Sequence, residues 1–491
     1  MRNPTRLISI DIGSTHTKSA LFELDGANGR LLARHAHPTT QEDLGRGAGD
    51  TLRALLGGRK DDSLERLRAD TPVRLSSSAK GGLSIVAIGL VPELTLELAR
   101  MAAMSAGGKV VGSYAYSLTQ ADMRAIETRA PDILLLAGGT DGGHTDCVLR
   151  NAARIAESSF SGPVLYAGNR AAADEVAALL RHKSLAVADN IMPAMRAVEI
   201  EPARQAIRRI FLERIVAGKG LARLAEQLGT QPQPTPLGVL RLVEAIPAHV
   251  PAWTDFCVVD LGGATTDFYS HAEPPVADER VVIKGVPEPH AKRTVEGDLG
   301  LRVSAPSVRE EARELVATRL AEHRLDETAL NRYMETIAAQ PGHIAAGEPD
   351  ETLDGILAEA CVRMALERHA GRYEEAYTPQ GKIFVQTGKD LRGVKRVIGS
   401  GGFLSVPANS HWLRRAFAAV GCPGRSGLPL VPEAPAFHAD RAGLFPLLGN
   451  LADLWPEAAA RLAVATLADA DATAPGPPVD IATGQQGAHV P

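Results

Sequence analysis

The chain has 491 residues, of which 45% are hydrophobic, so it can form two to four domains with substantial cores. Its 53 basic and 58 acidic residues give a net charge of −5 without a long basic block, so nucleic acid is not an expected partner. No uncharged stretch reaches the roughly 18 residues of a membrane-spanning helix, and the N-terminus has no apolar signal core. Together with four widely scattered cysteines, these features predict a cytoplasmic protein that contacts no membrane.

The N-terminal part begins with a predicted three-stranded meander over residues 7–12, 17–24 and 30–35. Its first bend, within residues 11–18, contains an Asp-x-Gly sequence followed by hydroxyl residues. Backbone N–H groups and hydroxyls at such a turn surround a space of phosphate size. Lys18 lies on the strand that leaves the bend, where its ammonium can reach a phosphate. A lysine on a strand is common, so Lys18 is a candidate phosphate ligand only because of these neighbouring residues.

Residues 73–190 alternate between short apolar runs and segments of helical spacing, which predicts an inserted α/β domain with a parallel sheet. Its first two strands are expected at residues 73–76 and 83–89. The glycine-rich segment 138–143 follows a strand and precedes a helix, as do many anion sites of α/β sheets. A βα turn without a ligand explains that segment equally well. Residues 191–249 are predicted to be mainly helical.

Within the helical region, residues 230–236 are rich in proline and are expected to form an exposed break. A second hairpin follows at residues 260–267, where an apolar strand ends in an aspartate, a Gly-Gly turn and Thr-Thr-Asp. Alone it could be an ordinary hairpin, but it repeats the pattern of the first bend. Its two aspartates, Asp260 and Asp267, could hold Mg²⁺ through water. Residues 279–284 are predicted to be the third strand of this second meander.

Two further segments carry glycine. Residues 292–300 are dense in charge and glycine and could be either a solvated loop or a functional one. A strand at residues 396–398 is followed by the Gly-Ser-Gly-Gly segment 399–402, where the absence of Cβ atoms lets a flat ring or a sugar approach the backbone. Residues 472–491 have too little apolar content to fold and are expected to form a disordered tail.

The segments 11–18, 260–267 and 399–402, in this order, resemble the phosphate-1, phosphate-2 and adenosine motifs of the actin/Hsp70/hexokinase superfamily of ATPases. The resemblance implies an α/β fold in which two duplicated actin-like, or ribonuclease H-like, halves surround a central nucleotide cleft. The implied units are residues 1–72 (first half), 73–190 (inserted α/β domain), 191–249 (helical connection) and 250–455 (second half).

The resemblance also implies the site residues, with ATP and Mg²⁺ as cofactors. Catalysis would depend on Asp11, Asp260 and Lys18, and the metal would be held by Asp11, Asp260 and Asp267. The phosphates would be bound by Gly13, Ser14, Thr15, Gly262, Gly263, Thr265 and Thr266, and the adenosine by Gly399, Ser400, Gly401 and Gly402. Glu244 is a candidate, by location only, for a residue that positions the attacking water.

A narrower resemblance lies in the segments 79–83, 136–143, 188–193, 293–300 and 399–403. They are similar to the glutamate mutase accessory family, called GlmL or MutL, which is distinct from the DNA mismatch-repair protein of the same name. This resemblance implies an ATP-dependent, chaperone-like reactivating factor that exchanges damaged cobalamin. Its partners would be the subunits of an adenosylcobalamin-dependent glutamate (methylaspartate) mutase, and a homo-oligomer is possible.

The sequence leaves three alternative classes of protein. A small-molecule kinase of the same fold needs an aspartate as acceptor base, for which only Asp141 is a candidate. An iron–sulfur activator ATPase needs paired cysteines, and the scattered cysteines argue against it. A scaffold that binds nucleotide without useful turnover is the third alternative.

Overall fold

The computed structural model describes residues 5–40, 42–58, 63–68, 71–78, 83–215, 221–274, 278–340, 342–379, 381–420 and 427–469. The expected disordered tail, and residues 79–82 of the first family-like segment, lie outside these ranges. Within them, no helix combines the length and the apolar character that crossing a bilayer requires.

The helices and strands follow one another in four regions. The first contains β1 (Thr5–Ile12), β2 (His16–Asp25), β3 (Asn28–Pro38), α1 (Leu44–Leu56), α2 (Leu64–Arg68) and β4 (Val73–Ser77). The second contains β5 (Leu83–Gly89), a π-helical turn (Pro92–Leu96), α3 (Glu97–Ser105), β6 (Gly108–Ala115), α4 (Gln120–Arg129), β7 (Ile133–Leu136), α5 (Asp146–Glu157), β8 (Val164–Tyr166), a 3₁₀ turn (Arg170–Ala172), α6 (Ala173–Leu179) and β9 (Leu185–Val187).

The third region contains α7 (Glu201–Ile215), α8 (Leu221–Leu228), β10 (Gln233–Pro234) and α9 (Thr235–His249). The fourth contains β11 (Phe256–Leu261), β12 (Thr266–His271), β13 (Val281–Lys284), β14 (Ala291–Glu296), α10 (Ala305–Glu311), α11 (Arg313–Glu322), α12 (Glu327–Ala339), α13 (Asp350–His369), β15 (Arg372–Thr378), β16 (Gly381–Thr387), β17 (Arg396–Ser400), α14 (Gly401–Leu404), a 3₁₀ turn (Pro407–Asn409), α15 (Ser410–Val420), β18 (Leu428–Pro429), β19 (Ala436–Ala439), α16 (Phe445–Gly449), α17 (Pro456–Ala465) and β20 (Ala468–Asp469).

Two sheets repeat the same strand arrangement. The first has the order β10-β4-β1-β2-β3 and the second the order β14-β12-β11-β17-β19-β20. In each, an antiparallel three-stranded meander is extended by two strands parallel to its first strand. This duplication confirms the predicted α/β fold with two actin-like halves. A further sheet, of order β13-β16-β15-β18, belongs to the second half.

The sheets form because both faces of their central strands are buried. Side chains of β1 alternate between the two faces of the sheet. Ile8, Ile10 and Ile12 face a core shared with α1 and α8, whereas Leu7 faces the core between the halves. That second core also contains buried residues of α9, α16 and α17 and of β11. The halves are therefore held together by apolar packing beneath the cleft.

The inserted domain is a parallel sheet of order β6-β5-β7-β8-β9. Helices α3 and α7 cover one face, and α4, α5 and α6 cover the other. The predicted parallel-sheet insert is therefore present. One of its expected strands is not part of it, because β4 pairs in parallel with β1 and β10 in the first sheet. A short apolar run does not indicate which sheet it will join.

The connection between the insert and the second half differs from the prediction in two respects. Helix begins only at Glu201, and residues 191–200 are irregular. The expected exposed break is wrong, because Gln233, Pro234 and Thr235 are buried. They are buried because β10 pairs with β4 and because the side chain of Gln233 donates a hydrogen bond to the side-chain oxygen of Asn450.

The third strand of the second meander is also not the predicted one. It is β14, which pairs with β12, whereas β13 joins the separate four-stranded sheet. Because β14 contains charged residues, its sequence does not indicate a buried strand. Lys292 is paired with Glu288, and the hydroxyl of Thr294 lies 2.8 Å from Nδ1 of the buried His369. Buried polar side chains are tolerated where such partners exist.

Candidate functional site

A cavity of about 620 Å³ lies between the two halves, where the hairpins β1–β2 and β11–β12 meet the start of α14. We refer to residues 11–18 as the first hairpin, to residues 260–267 as the second hairpin and to residues 399–402 as the glycine turn. The cavity is lined by Asp11, Gly13, Ser14, Thr15, Lys18, Asp260, Gly262, Gly263, Thr265, Asp267, Gly401 and Gly402. Three segments that are far apart in the sequence therefore share one site.

In the first hairpin, Asp11 lies near the end of β1 and is almost completely buried. Its Oδ1 accepts hydrogen bonds from the hydroxyls of Ser76 on β4, at 2.9 Å, and of Thr235 at the start of α9, at 2.6 Å. Lys18 is its register partner on β2. Burial raises the pKa of Asp11 above its ordinary value, and Lys18 and the two hydroxyl donors oppose this shift. Hydrogen bonds from β4 and from α9 thus fix the position of the carboxylate.

In the second hairpin, Asp260 on β11 is the register partner of Asp267 on β12. Burial raises the pKa of Asp260 to about 7; Lys18 opposes the shift, and the negative charges of Asp267 and Asp11 add to it. The turn is closed by a hydrogen bond of 2.9 Å from the amide of Gly262 to a threonine carbonyl. Several carboxylates thus share one cavity, and such crowding favours a bound cation.

Asp267 already has a cationic partner. Its Oδ1 accepts hydrogen bonds from Nε and Nη2 of Arg293, at 2.8 and 2.5 Å, and its Oδ2 accepts one from the hydroxyl of Thr265 at 3.3 Å. The remaining nitrogen of Arg293 donates to the carbonyls of Met104 and Gly108, at 2.5 and 2.9 Å. Because Met104 and Gly108 belong to the insert, this buried ion pair connects the second hairpin to the inserted domain.

Lys109 on β6 forms a second connection between the insert and the cavity. It lines the cavity, and its Nζ donates to the carbonyl of Gly297 at 2.9 Å. A Cβ atom at Gly297 would lie 1.6 Å from Cε of Lys109, so the lysine can cross this position only because it is a glycine. Burial lowers the pKa of Lys109, whereas the charges of Asp298 and Asp267 oppose the shift. The charge- and glycine-rich segment 292–300 therefore contacts the insert through Arg293 and Gly297.

The two hairpins and the glycine turn touch one another at glycines. A Cβ at Gly263 would lie 2.9 Å from Cγ2 of Thr15 in the other half. Gly401 has φ +88°, and a Cβ there would lie 2.2 Å from the carbonyl oxygen of Leu261. By contrast, a Cβ at Gly402 would have no atom within 4 Å. Gly401 is therefore required by packing, whereas Gly402 faces open space in the cavity.

The remaining predicted site residues lie outside the set of cavity-lining residues that the structure describes. The hydroxyl of Thr266 donates to the carbonyl of Leu299 at 2.9 Å, and that of Ser400 donates to Asp440 at 3.1 Å. Gly399 is a buried residue of β17. These three residues therefore stabilise the hairpins and the glycine turn without lining the cavity. The water-positioning candidate Glu244 is exposed on α9 and is also outside the cavity.

Sequence reasoning missed the wall of the cavity formed by residues 342–345. Arg302 positions this wall, because it donates two hydrogen bonds to the carboxylate of Asp354, at 2.7 and 2.9 Å, and two to the carbonyl of His343. Tyr333 donates to the same carboxylate at 2.5 Å. Arg302 and Asp354 are 52 residues apart, and no local sequence signal connects them.

Cations also line the cavity. Lys18 and Arg34 approach from adjacent strands of the first half, and burial lowers the pKa of Arg34 while Asp440 opposes this shift. Among the described residues, no hydrogen-bond acceptor contacts the buried Nε of Arg34. An unsatisfied buried guanidinium nitrogen suits an anionic ligand. Asp11 and Asp260 supply hard oxygen atoms suited to a hydrated Mg²⁺ ion. The donor set therefore fits a polyphosphate with a divalent cation.

The glycine-rich segment 138–143 of the insert, called here the insert loop, is constructed differently. Asn169 accepts a hydrogen bond from the amide of Gly142 and donates one to the carbonyl of Gly143. Asn190 donates to the carbonyl of Gly139 and to the side chain of Asp141. Side chains of the insert thus occupy polar groups that a ligand would otherwise use.

Two sheets that share the same five-strand arrangement, with paired Asp-x-Gly hairpins facing one cleft, define a protein of the actin-like ATPase fold. A family model described as "MutL protein" matches residues 7–467. Protein MutL of Clostridium tetanomorphum is 36% identical over 463 residues, which cover 92% of this chain and 97% of that protein. The chain therefore belongs to the MutL family, as its sequence predicts.

Solved structures are more distant. Nucleotide-free acetone carboxylase is 13% identical with a TM-score of 0.38, over 92% of this chain and 70% of that chain. A carbohydrate kinase from Novosphingobium aromaticivorans is 16% identical with a TM-score of 0.29, over 91% of each chain. The family assignment rests on the sequence matches alone.

Proposed function

We propose that this protein binds and hydrolyses Mg-ATP in the cleft and uses the cycle to reactivate an adenosylcobalamin-dependent glutamate mutase by exchanging damaged cobalamin. The supporting observation is the convergence of Asp11, Lys18, Asp260 and Gly401 on one cavity in a chain of the MutL family. The mutase as client comes from the family resemblance.

In this proposal Asp11 and Asp260 hold the hydrated Mg²⁺, which supplies positive charge to the phosphate oxygens. Asp11 is suited to this role because Ser76 and Thr235 fix its carboxylate through Oδ1, and no described residue forms a hydrogen bond with Oδ2. Lys18 and Arg34 neutralise phosphate charge. Phosphoryl transfer depends mainly on such positioning and charge stabilisation.

Asp267 has a different role from the one its position in the motif implies. Arg293 binds its Oδ1 through two nitrogens, so this oxygen is committed to an ion pair. We assign Asp267 to the connection with the insert, with any contact to the metal made through its Oδ2 or through water. The phosphates are cradled by the backbone of Gly13, Gly262 and Gly263.

The adenosine is placed at the glycine turn. Gly402 leaves open space, and Phe403 and Val406 supply apolar surface beside it. Residues 342–345 line the same cavity, and Arg302 fixes their backbone at the carbonyl of His343. A flat base between a glycine backbone and an apolar wall needs no further polar partner for its faces.

The halves and the insert supply the means of coupling. A nucleotide that contacts both hairpins favours a closed cleft, and loss of the γ-phosphate removes contacts that bridge the halves. Arg293 and Lys109 join the second hairpin and its neighbouring segment to the insert, so closure is transmitted there. Such coupling can remodel a client only if the nucleotide states differ in affinity for it.

The position of Asp141 does not favour its role as the acceptor base of a kinase. Asp141 lies in the insert loop, outside the described cavity-lining residues, and its Oδ1 accepts hydrogen bonds from Asn190 and from the amide of Arg170. The described cysteines Cys147, Cys257 and Cys361 are buried, which does not suit an iron–sulfur cluster at a subunit interface.

The deciding experiment uses glutamate mutase inactivated by turnover or by a cobalamin without its adenosyl group. Addition of this protein, Mg-ATP and fresh adenosylcobalamin should restore activity and release the damaged cofactor in parallel. A nonhydrolysable ATP analogue should permit at most one exchange. The Asp260→Ala variant serves as a control and should restore nothing.

Full recovery without ATP, or none with ATP across several cobalamin mutases, would defeat this proposal. Phosphate transfer to a member of a metabolite panel would instead support a kinase. Nucleotide binding without turnover, accompanied by ATP-dependent sedimentation, would support a scaffold.

A further inference from the structure

A cluster of possible metal ligands lies at the other end of the second sheet from the cleft. His271 ends β12, Glu273 follows two residues later, and His290 immediately precedes β14. The two strands hold these residues together, because His271 is the register partner of Ala291 and the amide of Ala272 donates to the carbonyl of His290 at 3.1 Å. One potential ligand atom of each side chain lies within 4.8 Å of the other two.

One ring nitrogen of His271 is fixed by the backbone. Its ring is largely buried, and its Nδ1 lies 2.6 Å from the backbone carbonyl of Thr254. A carbonyl only accepts hydrogen bonds, so the proton resides on Nδ1 and Nε2 carries the lone pair. Metal-binding histidines usually have this arrangement, in which a hydrogen bond from one ring nitrogen fixes the tautomer that presents the other.

Glu273 and His290 supply the other two donors. Nδ1 of His290 lies 3.3 Å from Oε2 of Glu273, and the amide of Glu273 is anchored by a hydrogen bond to Asp255. Two ligand atoms bound to tetrahedral zinc at about 2.0–2.1 Å are themselves about 3.3 Å apart. Both side chains are more than half exposed, so they can rotate to bring the third ligand distance into the same range.

We propose that His271, Glu273 and His290 bind a divalent transition metal, with zinc as the best match, and leave a fourth position for water. Two imidazole nitrogens and one carboxylate oxygen suit zinc, whereas Mg²⁺ prefers oxygen ligands alone. The site is therefore chemically distinct from the magnesium site proposed for the cleft. The site lies where the chain leaves β12 and where it returns to β14, after the segment that contains β13.

One neighbouring group opposes the metal. The ammonium of Lys389 donates hydrogen bonds to the carbonyls of Pro289 and His290. It fixes the backbone that presents His290, but its positive charge repels a dication. The competing interpretation is a simple ion pair between Glu273 and His290 at the protein surface, without any metal.

The test uses the untagged full-length protein, stripped with a chelator and then titrated with Zn²⁺ by calorimetry. We expect one equivalent to bind, and the Co²⁺-substituted protein should show the visible absorption of a four-coordinate site. Glu273→Gln and His290→Ala should each weaken Zn²⁺ binding about 10–100-fold. Both positions are exposed, so circular dichroism and ATP binding should remain unchanged.

His411→Ala is the matched control, because His411 is an exposed histidine on α15, away from the cluster. It should leave the Zn²⁺ affinity unchanged. Absence of Zn²⁺ binding, or the same affinity in Glu273→Gln, His290→Ala and wild type, would overturn the proposal and leave the ion pair as the explanation of the cluster.

Discussion

Two glycine-rich turns follow buried strands in this molecule, one in the second hairpin of the cleft and one in the insert loop. Both contain a Gly-Gly pair, a threonine and an aspartate. In the insert loop, Asn169 and Asn190 bind the amide of Gly142 and the carbonyls of Gly139 and Gly143. The second hairpin and the neighbouring glycine turn instead line a cavity of about 620 Å³.

The difference shows that glycine content alone does not identify a ligand site. What separates the two turns is whether remote side chains already occupy the polar groups. The insert loop is a self-contained structural unit, because the amides that an anion would use already have acceptors. The amide of Gly142 donates to Asn169, and those of Asp141 and Gly143 donate to backbone carbonyls. The cleft presents carboxylates, cations and open space together, and this combination indicates a ligand.

The largest expected effect tests this distinction at the aspartates. Asp260→Ala should lower ATP hydrolysis about 10³-fold, because it removes a proposed metal ligand from the site of charge stabilisation. Asp141→Ala in the insert loop is the matched control and should retain hydrolysis. Steady-state phosphate release measures both, with circular dichroism to verify folding. Undiminished hydrolysis in Asp260→Ala would refute the site assignment.

The second effect concerns stability in the insert. Asn169→Ala removes the partners of the amides of Gly142 and Ala171 and of the carbonyl of Gly143. Gly142, Gly143 and Ala171 are exposed, so water can replace part of each lost hydrogen bond, and the free energy of unfolding should fall by about 1–3 kcal/mol. Chemical denaturation measures this loss. ATP affinity should stay unchanged, and a large loss of affinity would mean that the insert loop binds nucleotide.

A third variant fills the open space at the glycine turn. Gly402→Val places a branched side chain where a Cβ has no atom within 4 Å, so folding should tolerate it. The side chain would enter the space proposed for adenosine and lower ATP affinity about tenfold or more, which corresponds to about 1.4 kcal/mol. Gly139→Ala, at φ +76° in the insert loop, should instead lower the free energy of unfolding and leave the ATP affinity unchanged. Unchanged affinity in Gly402→Val would move the adenosine elsewhere.

These comparisons also show which parts of the site could be predicted. The two hairpins are contiguous in sequence, so their strands, glycines and aspartates are visible as local patterns. Ser76 and Thr235 lie 65 and 224 residues from the Asp11 that they fix, and nothing local connects them. The charged strand β14 was missed for the same reason, since Arg293 pairs with Asp267, 26 residues away, and Thr294 with His369, 75 residues away.

A fourth effect is a pH dependence that belongs to the cleft. Burial raises the pKa of Asp260 to about 7, and a metal ligand must be deprotonated to bind. Below pH 7 the carboxyl is increasingly protonated, so the affinity for Mg²⁺ and ATP should fall by up to about tenfold per pH unit. Calorimetry between pH 8 and 6 measures the change. Asp260→Asn cannot titrate at this position, and the same pH dependence in that variant would assign it to another group.

The smallest effect tests whether the two regions communicate. Lys109→Met keeps the aliphatic stem but loses the hydrogen bond to the carbonyl of Gly297, which is worth about 1 kcal/mol. ATP should then protect the amides of the insert less from hydrogen exchange, because one of its connections to the cleft is gone. Lys183→Met is the matched control, since Lys183 also donates to backbone carbonyls, those of Ser158 and Phe160, but only within the insert. It should lower the stability of the insert and leave the response to ATP intact. If Lys109→Met responds to ATP as the wild type does, the coupling is carried by Arg293 alone or by neither contact, and the buried pair between Arg293 and Asp267 becomes the next position to change.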